Sequence, residues 1–136
     1  MPEEVSNVSK ECKIFLFVDS VIGIISGFFI LLIPGLVLDL LNWTDCDVVT
    51  IRVLGAVIIG FSSAPFIVSF DKDLKWKEVR TTMEMEVVLL IFGIFTIILS
   101  HTFLKLPITV LAVLFEATMI ILLVSFLVFI IRERPS

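Results

Sequence analysis

Four ionisable side chains stand inside stretches otherwise built of aliphatic and aromatic residues: Asp19, Arg52, Glu86 and Glu116. A charge at the centre of a bilayer costs about 2.5 to 3.5 kcal/mol on insertion scales, so such residues are paired, hydrated, protonated or functional. The chemistry open to them is that of a proton or cation site, or of the polar contact to a bound lipid-like ligand. Glu116 is the sharpest case, because the sequence places it near the middle of a helix made of Val, Leu, Ile and Phe. Either it serves such a site, or it orders a bundle by being protonated or paired with Arg52. Arg52 has a second option, turning back to Asp39, Asp45 or Asp47. Asp19 and Glu86 fall at matched depth, roughly 5 to 8 Å inside one boundary at about 1.5 Å per residue. With Ser20 they form a candidate shared acidic site in which two carboxylates compete for one proton. Hydration in a vestibule accounts for them equally well. Glu84 points elsewhere and has Arg80 four residues earlier as a surface partner.

Other chemistry is excluded by what the sequence lacks. A single histidine, His101, rules out a bis-histidine haem supplied by this chain, and there is no CxxC, HExxH, GxSxG or phosphate-loop pattern. No autonomous redox, hydrolytic or nucleotide-driven enzyme is expected, and no cofactor or metal. His101 reads as a headgroup-level residue. Cys12 and Cys46 flank the first apolar run, fall on opposite sides of a membrane and read as free thiols.

These residues must be positioned by membrane helices. Of the 136 residues, 59% are hydrophobic, against roughly 45 to 50% apolar in a soluble domain. A span of the ~30 Å hydrocarbon core takes about 20 apolar residues. The runs predict spans over residues 14–33, 48–70, 83–100 and 108–131, with a short interfacial helix over 35–42 after the break at Pro34-Gly35. Trp43 and Trp76 suit headgroup-level anchors. Asp45 and Asp47 follow Thr44 as cap candidates for the second span, which Pro65 should bend. Pro107 fits the first turn of the fourth. The first residues, with Glu3, Glu4, Lys10, Glu11 and Lys13, do not read as a removable signal.

Lys10 and Lys13 precede the first span, Lys72, Lys75, Lys77 and Arg80 lie between the second and third, and Arg132 and Arg134 follow the fourth. The other two loops hold only Lys105. The positive-inside rule therefore places both termini in the cytoplasm, in a multi-pass protein of the cell membrane. The net charge of −4 and the absence of a dense basic run argue against a nucleic-acid partner.

In lipid, helices associate through small residues and polar contacts. Gly23 and Gly27 form a GxxxG pair with Asp19 heading the same stripe. Ala56, Gly60 and Ala64 form a second ladder headed by Arg52, so both charges are expected to face inward. Glu86 and Glu116 are turned inward by the same reasoning from Gly93 and Ala112.

The stretch Ile33-Pro34-Gly35-Leu36-Val37-Leu38-Asp39-Leu40-Leu41, followed by Ile51-Arg52-Val53-Leu54-Gly55-Ala56, resembles small prokaryotic four-helix membrane proteins of the DoxX-like type. The resemblance covers about a quarter of the chain and implies an accessory membrane role, with no catalytic residue to carry over. The sequence thus predicts an all-α, four-helix transmembrane bundle. Its expected role is a non-enzymatic subunit or scaffold, as a homo-oligomer or within a larger membrane complex. The runner-up is a small transporter or lipid-like ligand-binding protein using Asp19, Arg52, Glu86 and Glu116, and an enzyme on a lipid-like substrate comes third.

Overall fold

The computed structural model describes residues 8–43, 45–71 and 74–133. Glu3, Glu4, Thr44, Lys72 and Arg134 lie outside these. Five helices follow one another: α1 Lys10–Leu32, α2 Pro34–Leu41, α3 Val48–Ser69, α4 Trp76–Phe103 and α5 Val110–Arg132. Four of them, α1, α3, α4 and α5, are long and apolar enough to cross a membrane. The protein is a helical transmembrane bundle with one short extra helix, as the run lengths require.

Local chemistry sets the boundaries. Ser9 caps α1 by accepting from the Cys12 amide, and α1 stops at Leu32 because Pro34 has no N–H to continue it. Pro34 instead opens α2, where its missing donor costs nothing. α2 ends at Asn42, whose φ of 56° is the left-handed conformation that Asn tolerates better than most residues. Asp47 caps α3 through the Thr50 amide at 2.8 Å. α3 runs unbroken through Pro65, which is fully buried. Pro107 lies in the connection before α5 rather than in its first turn. Thr109 is the cap there, accepting from the Ala112 amide at 3.1 Å.

α1 packs most extensively against α3 and α4 against α5, whereas α3 and α4 meet over a short stretch only. The α1/α3 seam depends on two glycines. A Cβ on Gly27 would come within 2.9 Å of the Gly55 carbonyl, and one on Gly55 within 2.7 Å of the Leu31 amide, so the backbones touch where side chains would hold them apart.

The best-packed core lies where the start of α1, the start of α4 and the end of α5 meet. Cys12, Leu16, Leu74, Val79, Met83 and Phe126 are buried together with Trp76. Trp76 is thus a core residue rather than an exposed anchor, because α4 begins well before the apolar run and tucks its first turn under α1. Phe15 of α1 packs edge-on to Phe126 and stacks on Phe129 of α5, with centroids 4.9 and 5.0 Å away. Around this plug, Glu133 accepts from the Ser9 amide at 3.1 Å, Arg132 pairs with Glu11, and Lys13 donates to the Asp71 carbonyl at 2.9 Å. The start of α1 and the end of α5 therefore share one end of the bundle. Elsewhere large apolar side chains such as Ile22, Phe29, Ile67, Phe92 and Ile121 stand exposed on all four long helices. That perimeter suits hydrocarbon, and in water would be an aggregation surface.

Candidate functional site

Among the described residues the buried polar side chains are Asp19 and Ser20 of α1, Ser62 of α3 and Glu86 of α4; Ser62 lies across the α1/α3 seam from Gly23, and Glu86 feels the charge of Asp19. Asp19 is the tenth residue of α1 and Glu86 the eleventh of α4, so the two stand about 14 and 15 Å up parallel helices from the same end. Their carboxyls are close enough to interact electrostatically. Only 9% of Asp19 and 8% of Glu86 remains exposed. Ser20 lies beside Asp19 and returns its hydroxyl to the Leu16 carbonyl. Ser62 enters from α3 one turn higher, its hydroxyl occupying the space that a side chain on Gly23 would take. Gly23 therefore does more than bring two helices together: it admits a hydroxyl to the seam.

Among the described residues neither carboxyl receives a hydrogen bond, and no Lys or Arg acts on either of them. Burial of an uncompensated charge is costly, and two facing carboxylates are worse than one. The carboxyl oxygens are not among the side-chain atoms sealed off without a partner, so hydration, a proton or a small cation can each offset the charge. Two carboxylates and two hydroxyls are hard oxygen donors, of the kind suited to such ions. Among the described residues no group of three His, Cys, Asp or Glu side chains is arranged to hold a metal.

A second polar site occupies the opposite end. His101, near the end of α4, meets the Glu116 carboxyl through Nε2 at 2.8 Å and the Leu106 carbonyl through Nδ1 at 3.0 Å. Trp43, in the segment after α2, packs edge-on against the imidazole with centroids 6.2 Å apart, and its buried indole N–H has no acceptor among the described residues. Glu116 is the seventh residue of α5, about 9 Å from its start. It lies in the outer third of the helix rather than near the middle, and its partner is His101 instead of Arg52. His101, at the end of α4, thus has a carboxyl partner that the sequence did not assign to it.

The remaining sequence candidates sit elsewhere. Arg52 is exposed, and makes no ion pair among the described residues with Glu116, Asp39, Asp45 or Asp47. Ala56, Gly60 and Ala64 are exposed as well, and a Cβ on Gly60 would meet nothing within 4 Å. The ladder and the charge that heads it face out of the bundle, because the face of α3 turned to α1 is the neighbouring one bearing Gly55, Ile59 and Ser62. Arg80 and Glu84 form an exposed pair at 2.6 Å. Cys12 is buried near the termini and Cys46 lies in the opposite loop, both free. Sequence reasoning missed Ser62. Its signal is the 55, 59, 62 spacing, one helical stripe joining a hydroxyl to Gly55.

No protein-family model, curated protein or solved structure matches the chain.

Proposed function

We propose that this is a small membrane carrier that binds one proton or monovalent cation between Asp19 and Glu86. The observation supporting this reading is that Asp19 and Glu86 are both buried, act on each other electrostatically, and have no cationic partner among the described residues. Ser20, beside Asp19, and Ser62, across from Gly23, are the hydroxyls available to complete such a site. Arg52, exposed at the far end, has no part in the site. The protein is oriented with both termini in the cytoplasm of its cell. Lys10, Lys13, Lys75, Lys77, Arg80 and Arg132 all belong to the end where the termini meet, and the positive-inside rule supports that side. Infrared difference spectra recorded on stepping pH or sodium concentration test the site. Carboxyl bands that respond in the wild type should vanish in both Asp19→Asn and Glu86→Gln. Bands that survive both substitutions would overturn the reading.

A second reading, a subunit of a membrane assembly, draws on the outward ladder Ala56, Gly60 and Ala64, since exposed small residues are association surfaces in lipid. The DoxX-like resemblance points the same way. Gly60→Leu should then shift the protein from oligomer to monomer in mild detergent, and an unchanged size would remove this reading.

A further inference from the structure

Where α3 and α4 diverge, a groove of about 470 Å³ opens sideways from the bundle, lined by Phe61 of α3 and by Thr81, Glu84, Met85, Val88 and Phe92 of α4. Its wall is apolar over most of its length and polar at one end. From Thr81 to Phe92 it follows eleven residues of helix, about 16 Å. Half of a ~30 Å hydrocarbon core is about 15 Å. α4 has 28 residues, about 42 Å, so its first two turns stand beyond the hydrocarbon and bring the polar end of the groove to headgroup level. That end carries exposed cations. Lys77 and Lys75 lie seven and nine residues before Glu84, about two turns or more, and the Arg80 guanidinium engages the Glu84 carboxylate through Nε, leaving its other nitrogens to further acceptors. The Glu84 charge is thereby balanced, and Lys75 and Lys77, less the exposed Glu78 of the same turn, leave the groove mouth one net positive charge.

We infer that the α3/α4 groove is a binding site for one anionic phospholipid of the leaflet on the side of the termini. The acyl chain lies along Phe61, Met85, Val88 and Phe92, and the phosphate is held by Lys77 and Arg80. The length of the groove fits a single leaflet, its sideways opening gives entry from the bilayer, and its charged mouth complements a phosphate. This site is independent of the Asp19–Glu86 seam and rests only on residence in a bilayer. A second copy of the chain would contact the groove through a helix instead, without a preference for lipid charge.

Native mass spectrometry of the protein released from vesicles of equal phosphatidylglycerol and phosphatidylcholine tests the proposal. One retained phosphatidylglycerol, several-fold preferred over phosphatidylcholine, is expected. Val88→Trp fills the groove from a half-exposed position and should abolish retention of either lipid. Lys77→Gln with Arg80→Gln should keep lipid bound but bring the two lipids to parity, with helix content unchanged by circular dichroism. Retention of phosphatidylglycerol by Val88→Trp at the wild-type level would overturn the inference. So would a lipid-free dimer that Val88→Trp converts to monomer.

Discussion

His101 and Glu116, fifteen residues apart on α4 and α5, meet at 2.8 Å while the other imidazole nitrogen faces the Leu106 carbonyl at 3.0 Å. A carbonyl can only accept, so Nδ1 carries a proton. The Nε2 to Glu116 contact then needs a second proton, whether it rides on the ring or on the carboxyl. Either arrangement is neutral overall, and so a carboxyl can lie inside the bundle without a cation from elsewhere. The Lys105 backbone, at φ 53°, helps fold the connection back so that Leu106 reaches the ring.

This geometry separates two substitutions that look alike. Glu116→Gln keeps a group that donates to Nε2, and should leave stability nearly unchanged. Glu116→Ala leaves a mostly buried imidazole nitrogen without a partner and should cost about 1 to 3 kcal/mol. Unfolding in mixed micelles measures both, and equal losses would contradict the shared-proton arrangement.

The α1/α3 seam makes a steric prediction. Gly55→Ala places a methyl against the Leu31 amide and the Gly27 carbonyl, both backbone atoms that cannot swing away. Overpacking of this kind costs about 1 to 3 kcal/mol. Gly60→Ala, five residues on, meets nothing and should be neutral or stabilising by up to about 1 kcal/mol, since alanine loses less freedom in a helix. The same unfolding assay ranks them, and a Gly60→Ala loss as large as that of Gly55→Ala would contradict the packing.

Acid should loosen the start of α3. Hydrogen bonds from the Thr50 amide and then the Thr50 hydroxyl hold the Asp47 carboxyl below the usual carboxylate range. With the folded value the lower one, the cap's contribution is complete above the ordinary carboxylate pKa of about 3.9 and is lost as pH falls through the folded value. Asp47→Asn still accepts from Thr50 but does not titrate. Hydrogen exchange at the first turn of α3 should rise with acid in the wild type and stay flat in Asp47→Asn.

Orientation has its own test. Cys46 is partly exposed in the loop at the end opposite the termini, whereas Cys12 is fully buried. A membrane-impermeant maleimide applied to intact cells should label Cys46, and Cys46→Ser should remove the label. Labelling only after permeabilisation would reverse the proposed sidedness.

The spans were legible because hydrocarbon thickness fixes how long an apolar run must be, and Pro34 marks the break between α1 and α2. The matched heights of Asp19 and Glu86 were legible too, since depth follows from counting residues along parallel helices. The facing of α3 was not. In lipid the outward and inward sides of a helix are equally apolar, so nothing in composition separates the Ala56 ladder from Gly55, one residue and 100° away. Nor did depth alone reveal the partner of Glu116. The cue was the short connection between α4 and α5, which leaves His101 and Glu116 within two turns of the same end of antiparallel neighbours.

The central claim is that Asp19 and Glu86 together carry one positive charge across or into the membrane. Its most direct test is ion flux in sealed vesicles under an imposed proton or sodium gradient, with wild type, Asp19→Asn and Glu86→Gln reconstituted at equal density. The wild type should dissipate one of the two gradients several-fold faster than empty vesicles, with both variants at the empty-vesicle rate. Variants that run at the wild-type rate, or a wild type no faster than empty vesicles on either gradient, would contradict it.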